Sequence, residues 1–214
     1  MDVATSDFAV FKRLFAPAGT RLFRQAAGQK EREPLEDLTP EAWQDHVGNG
    51  PQVGAYVQRA DGKVRFSMFD IDISPRDASR AEMLRQMEDL KPVALRARAA
   101  LERSGLTRQQ VLVEFSGTGY HLWLFYEEPV PAALIQRIML GVQNRVGLGA
   151  SYKPRFPFEM DRDRVWFPLR INLKQGIRSV FVADLEGFDP ANYPQELDLR
   201  PLATVQQVDV KRLI

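Results

Sequence analysis

The sequence predicts an α+β fold, a mainly antiparallel sheet built from hairpins and covered by helices, preceded by a small N-terminal α/β subdomain. Three observations predict it. Apolar runs of strand length recur in pairs around turn signals, at Asp61-Gly62 and at Ser116–Tyr120. Amphipathic stretches with helix start signals separate those pairs. In order the elements read ββαββαβββ, so strands follow strands instead of alternating with helices as in a parallel sheet.

Each element has its own local reason. Phe8–Phe15 reads as a short helix, with Phe8, Phe11, Leu14 and Phe15 at helical spacing. Gln25–Asp37 is polar and charge-dense, an exposed connection. Leu38–Val47 opens with Thr39 as N-cap and Pro40 in the first helical position, and Gly48–Pro51 ends it. Val53–Arg59 and Val64–Asp72 then read as two strands of one hairpin, the second stopped by Pro75. Asp77–Ser104 is a helix, broken or restarted at Pro92, with Gly105 as its stop. Val111–Phe115 and His121–Phe125 are strands around a glycine-rich turn, and Pro131–Val146 is an amphipathic helix. Strands near Pro157–Asp161, at Val165–Asn172 and at Ser179–Val182 complete the pattern, and a Pro-rich tail runs from Leu185. The expected organisation is one core over residues 1–214. Within it, 1–62 form the N-terminal subdomain, 63–184 carry the motifs and 185–214 are the tail. The uncapped ending KRLI leaves open that the chain is a piece of a longer protein.

Composition narrows the function classes. At 214 residues the chain can bury a core without staples. It has no cysteine, which excludes disulfides and thiolate zinc sites and fits a cytoplasmic compartment. The N-terminal stretch MDVATSDFAVFKRLF has no apolar signal core. No stretch approaches the roughly 18 uncharged apolar residues of a membrane span, so a soluble protein with no membrane partner is expected. Lys and Arg number 29 against 28 Asp and Glu, a net charge of +1. Such a chain does not grip nucleic acid by bulk charge; a local basic groove would have to do it. A monomer is expected.

Three stretches carry chemistry. In VRFSMFDIDI, alternation turns Asp70 and Asp72 to one face and Phe69 and Ile71 to the other. Two carboxylates about 7 Å apart along a strand can converge on a divalent cation. The plainer alternative is a strand that simply ends in two solvated acids. In SGTGYH, Gly117 and Gly119 can take positive φ and bring backbone N–H groups to an anion, Ser116 adds a hydroxyl, and His121 opens the return strand. A hairpin turn with a structural histidine would look the same. In Glu159–Arg178 the acids Glu159, Asp161 and Asp163 precede Arg170, Asn172 and Lys174, which would share one strand face, with Arg178 beyond. A solvated basic edge strand is the competing reading.

FDIDI, then SGTGYHLW some forty residues on, then the acidic and basic block, together resemble the archaeo-eukaryotic primase superfamily. The likeness is nearest to primase-polymerase domains of CRISPR-associated and bacterial conflict systems. AWQDHVGNGPQVGAY, YEEPVPAALIQR, YKPRFPFE and KQGIRSVFV add to it, over about residues 8–184.

The resemblance implies an RRM-like catalytic core and a DNA primase or polymerase that extends a 3′-hydroxyl with two Mg²⁺ or Mn²⁺ ions. It makes Asp70, Asp72 and a third acid the metal ligands, with Asp161 chosen among Glu159, Asp161 and Asp163. It makes Ser116 and His121 binders of a dNTP or NTP and Arg170 a phosphate contact; the residues themselves add Gly117 and Gly119 of the turn, and Asn172, Lys174 and Arg178 of the basic block, to the nucleotide-binding set. Single-stranded or primer-template DNA is the implied partner, and CRISPR or conflict-system proteins are implied company. The chain departs from relatives that read RLPLG, having FPLRI instead, and it lacks the cysteines of a zinc-bearing initiation domain. A non-catalytic nucleotide or nucleic-acid binder and a metal-dependent nuclease are the rival classes.

Overall fold

The computed structural model describes residues 5–72, 79–146, 164–172 and 176–212. In chain order the elements are α1 (Thr5–Phe15), β1 (Arg21–Gln25), β2 (Glu33–Leu35), α2 (Pro40–Val47), β3 (Gln52–Tyr56), β4 (Lys63–Asp72) and α3 (Arg80–Arg103). Then follow β5 (Leu112–Phe115), β6 (Gly119–Pro131), α4 (Ala132–Val146), β7 (Arg164–Trp166), β8 (Ile171–Asn172), β9 (Ile177–Arg178), β10 (Val180–Phe181) and α5 (Arg200–Ala203).

Two antiparallel sheets of four strands carry the fold, ordered β2-β1-β3-β7 and β10-β5-β6-β4, beside a β8-β9 ribbon. The second sheet is the main one. Its face bearing Phe69, Ile71, Tyr120 and Leu122 is buried, and α3 and α4 pack on β4 and β6. The opposite face bears Phe66, Trp123 and Phe125. There Phe15 of α1 sits edge-on to Trp123 and Phe125, with ring centroids 5.1 and 4.9 Å away. Phe11 continues that contact onto Trp43 of α2 at 3.9 Å, so one apolar cluster joins both sheets. Burying such rings is the dominant stabilising contribution.

Local expectations hold where they rest on backbone chemistry. The Thr39 hydroxyl accepts from the Ala42 N–H at 3.2 Å, with Pro40 in the first turn of α2. Gly105, at φ +100°, follows the end of α3.

Other expectations are corrected. The Asp61-Gly62 turn forms, with Gly62 at φ +76°, but β3 and β4 enter different sheets beyond the single bridge Gln58–Val64. Residues 25–37 are not wholly connection, because Glu33–Leu35 pairs with β1. Neither strand shows the alternating apolar pattern, since β2 is a short charged edge. Pro92 does not break α3, which runs for 24 residues through it while Leu90, Val93, Ala94 and Ala97 stay buried. Burial on both sides of the proline outweighs the lost hydrogen bond. Val165–Asn172 is not one strand: Pro168 and Leu169 turn the chain, so β7 joins the first sheet and β8 the ribbon. The residues from Leu185 onward dock by burying Leu185, Leu199, Leu202 and Val208, and Val208 donates its N–H to the Phe125 carbonyl at 2.7 Å. The strand expected at Pro157–Asp161 lies outside the described residues. Among the described residues no helix is long and apolar enough to cross a membrane.

Candidate functional site

The site begins with register. Antiparallel pairing sets Asp70 of β4 opposite His121 of β6, Asp72 opposite Gly119, and Glu114 of β5 opposite His121. Directly paired residues project to the same face. Asp70, His121 and Glu114 therefore form a row across three strands. Trp123, two residues on from His121, shares that face but lies in the part covered by Phe15. The polar end of the face is where that aromatic cover stops.

Within the row, the Asp70 side chain is 13% exposed, and its Oδ1 stands 3.6 Å from His121 Nε2. That oxygen is buried with no hydrogen-bond partner among the described residues. On its other side, the His121 Nδ1–H donates to Glu114 Oε2 at 2.8 Å. The same oxygen accepts the Trp123 Nε1–H at 2.8 Å. Burial favours a neutral His121 ring, but the charge of Glu114 and then Asp70 outweigh it and push its pKa up to about 10. For Glu114 burial favours the protonated acid, yet His121, Trp123 and Ser179 hold its pKa below the ordinary value. An imidazolium held between two carboxylates results. Asp72, at the end of β4, is exposed.

The glycine turn works differently from the expectation. Ser116 N–H donates to the Gly119 carbonyl at 2.9 Å, closing a two-residue hairpin with Gly117 at φ +88° in its first central position. Gly119 does not take positive φ. It is glycine because a Cβ there would lie 2.1 Å from the Ile71 carbonyl oxygen and 2.8 Å from Asp72 Cα. Its bareness lets β6 approach the end of β4 that carries Asp72. Ser116 is buried, and its Oγ reaches the Gly119 carbonyl at 3.3 Å.

A second loop converges on the row. Leu169 has φ +71°, a conformation that costs a branched residue on the order of 1–3 kcal/mol. Its N–H donates to Ser179 Oγ at 2.6 Å, and Arg178 Nη1 donates to the Leu169 and Val47 carbonyls at 2.9 and 2.6 Å. His46, buried in α2, accepts the Val53 N–H on Nδ1 at 3.0 Å and donates from Nε2 to the Pro168 carbonyl at 2.9 Å. The turn so held presents Arg170, whose Nη1 donates to Gln52 Oε1 at 2.9 Å and whose guanidinium lies 5.5 Å over the Trp166 ring. Burial lowers the Arg170 pKa, while the charges of Glu114 and Asp72 oppose the shift, so Arg170 belongs to the same electrostatic cluster.

Asp70, Asp72, Ser116, Gly117, Gly119, His121 and Arg170 thus come together. Arg178 is occupied with backbone carbonyls and acts first as a clamp on the turn. The expected alternation of Arg170, Asn172 and Lys174 on one strand face is corrected, since Arg170 precedes β8. The Asn172 side chain, Lys174, and Glu159, Asp161 and Asp163 lie outside the described residues. Sequence reading missed Glu114, Trp123 and His46. The available signal for Glu114 was an acid inside the apolar run VLVEF, which is stable there only if partnered.

As a cation site, the described residues supply two carboxylates on one face, Asp70 and Asp72, and the buried Asp70 Oδ1 accepts no hydrogen bond among them, with only the ionic contact to His121. This donor set fits a hard divalent ion. Among the described residues no group of three metal-binding side chains is present.

A strained turn that holds Arg170 within the charge field of Asp72 and Glu114, beside a glycine hairpin, is suited to phosphate chemistry of the kind a primase-like nucleotidyltransferase domain performs. The chain belongs to the archaeo-eukaryotic primase domain family of TOTE conflict systems, whose sequence profile matches residues 11–213. Among solved structures, the polymerase domain of Mycobacterium tuberculosis Ligase D, in complex with DNA, is similar at 16% identity and TM-score 0.55. That similarity covers 97% of this chain and 90% of that one. The AEP domain of the cyanophage S-2L primase-polymerase matches at 17% identity over 88% of this chain and 90% of that one, with TM-score 0.43. No curated protein matches the sequence.

Proposed function

We propose that the chain is a template-dependent DNA primase or polymerase, adding nucleotides to a 3′-hydroxyl. The observation that carries this reading is the row Asp70–His121–Glu114, with a buried Asp70 oxygen that has no hydrogen-bond partner among the described residues. Asp70 and Asp72, with Asp161 as the third acid, would hold two Mg²⁺ or Mn²⁺ ions. When bound, such ions lower the pKa of an attacking hydroxyl and offset charge on leaving pyrophosphate. The chain's own residues bind and orient. His121, cationic between its carboxylates, donates from Nε2 to a phosphate oxygen of a dNTP or NTP and is not a base. Ser116 and the Gly117 turn contribute short-range donors, and Arg170 adds a fixed guanidinium, which together favour the charge that develops in transfer.

DNA as template agrees with the DNA complex of the similar Ligase D polymerase domain. The test is incubation with Mn²⁺, labelled primer-template and each nucleotide set. Extension is expected. Nucleotide binding with an unchanged primer would make the chain a non-catalytic binder, and a shortened primer would make it a nuclease.

A further inference from the structure

The outer face of the first sheet is unlike an ordinary solvated surface. Register puts Arg21 opposite Tyr56, Phe23 opposite Gly54 and Pro34, Trp166 opposite Gly54, and Arg164 opposite Tyr56. These residues share one side, because their neighbours Leu22, Val53, Ala55 and Val165 are buried in the core. Phe23 lies between the other two rings, with centroids 5.6 Å from Tyr56 and 5.1 Å from Trp166, and is itself buried, so Tyr56 and Trp166 are the rings of the row that reach the surface. Gly54 makes that row possible, since a Cβ would stand 2.5 Å from Phe23 Cζ. Arginines then lie against the rings: Arg21 4.6 Å over Tyr56, Arg32 5.6 Å over Phe23 and 5.8 Å over Trp166, and Arg170 5.5 Å over Trp166. Glu36 lines the edge of the same groove.

We propose that this face is a stacking platform for a single-stranded nucleic acid. The part-exposed rings of Tyr56 and Trp166 and the exposed guanidinium planes of Arg21 and Arg32 accept unstacked bases in any sequence, while the arginine charges meet the phosphates. With a net charge of only +1, binding of a polyanion has to come from local clusters of basic residues, and this face carries one. The platform also leads to the candidate site. Gln52, on the same side of β3 as Tyr56, accepts from Arg170, and Arg170 feels the charge of Asp72. A strand laid along the rings therefore runs toward Arg170 and Asp72, as a template would. This rests on the proposed function for its purpose, but not for its test.

Trp43 and Trp123 are 1% and 0% exposed, so Trp166 is the tryptophan a base can reach. Intrinsic fluorescence is titrated with an oligothymidine in EDTA, without nucleotide. Saturable quenching is expected, lost in Trp166→Phe. The double variant Arg32→Ser, Arg164→Ser, exposed on both counts, is expected to bind about tenfold more weakly. Its slope of log K against log salt should be shallower by roughly 1.4, two contacts at about 0.7 each. Absent quenching, unchanged affinity in the double variant, or equal quenching by a polyglutamate peptide would overturn the platform. Oligonucleotide binding by a chain that extends no primer keeps the platform and sinks the polymerase reading. Primer extension with an unchanged primer-template KM in the double variant does the reverse.

Discussion

Asp70 and His121 stand directly opposite each other across β4 and β6, with the imidazole Nε2 3.6 Å from a carboxylate oxygen that has no hydrogen-bond partner among the described residues. Buried polar atoms are ordinarily satisfied, and under the proposed function this exception, at the meeting of two motifs, is where a ligand would bind. A cation on the aspartate side and a phosphate on the histidine side would complete the coordination of both.

Asp70→Ala and Asp72→Ala are expected to lower nucleotide addition by about a hundredfold or more in primer extension, the scale of losing charge stabilisation in a transition state. The melting temperature of Asp70→Ala is expected to fall only modestly, because the His121 imidazolium loses one of its two carboxylates but keeps Glu114. Extension at close to the parent rate in either variant would exclude the proposed mechanism.

Glu114→Ala strips the acceptor from both His121 Nδ1–H and Trp123 Nε1–H. Denaturant unfolding is expected to show a loss of about 2–4 kcal/mol, the usual cost of breaking a buried charged pair. Nucleotide affinity is expected to fall with it, because His121 loses its orientation. Glu114→Gln, which keeps one acceptor oxygen, is expected to recover part of both. His121→Ala is expected to weaken nucleotide binding while sparing template binding.

The two turn glycines are expected to respond unequally. Gly117→Ala meets strain at φ +88° and a contact of 3.0 Å with the movable Ile177 Cγ2. Gly119→Ala meets backbone, 2.1 Å from the Ile71 carbonyl oxygen, and must push β4 away from β6 beside Asp72. Overpacking of that kind costs about 1–3 kcal/mol. Gly119→Ala is therefore expected to lose more activity than Gly117→Ala, as primer extension and thermal melting of both would show.

Stability is expected to fall as acid is added, through His46. Burial, opposed by the Pro168 carbonyl and reinforced by Arg170, lowers its pKa from 6.5 to about 4. The unfolded chain therefore binds a proton that the folded chain refuses between those values. The contribution is intact above pH 6.5, declines as pH falls toward 4 and levels below it, amounting to about 3 kcal/mol. Urea unfolding across that window checks it, and His46→Gln is expected to flatten the dependence.

Much of the fold was legible because the elements that matter carry their own signals. Thr39 and Pro40 start a helix by local hydrogen bonding and ring geometry, and alternation in VRFSMFDIDI separates Asp70 from Phe69 without reference to any partner. The short strands β1 and β2 were hidden, since β1 has buried residues only at Leu22 and Phe23 and the edge strand β2 is made by its neighbour and not by its own pattern. Pro92 misled because intrinsic propensity was outweighed by packing. Glu114 was passed over because a buried acid looks like an error in a strand until its donors are known, and those come from His121 and Trp123 on β6.

By itself the sequence determined the strand and helix periods, the shared face of Asp70 and Asp72, the SGTGYH hairpin and the family likeness. Each depends on residues close together in the chain. Only the tertiary structure decided that β3 and β4 part into different sheets, that His121 lies between Asp70 and Glu114, and that a strained Leu169 aims Arg170. It alone placed Trp166 among the arginines of an outer face. Register between distant strands selects these contacts, and it is chosen by the burial of Phe11, Phe15, Trp43 and Trp123 in one core. That is a collective free energy to which no local stretch of the chain has access.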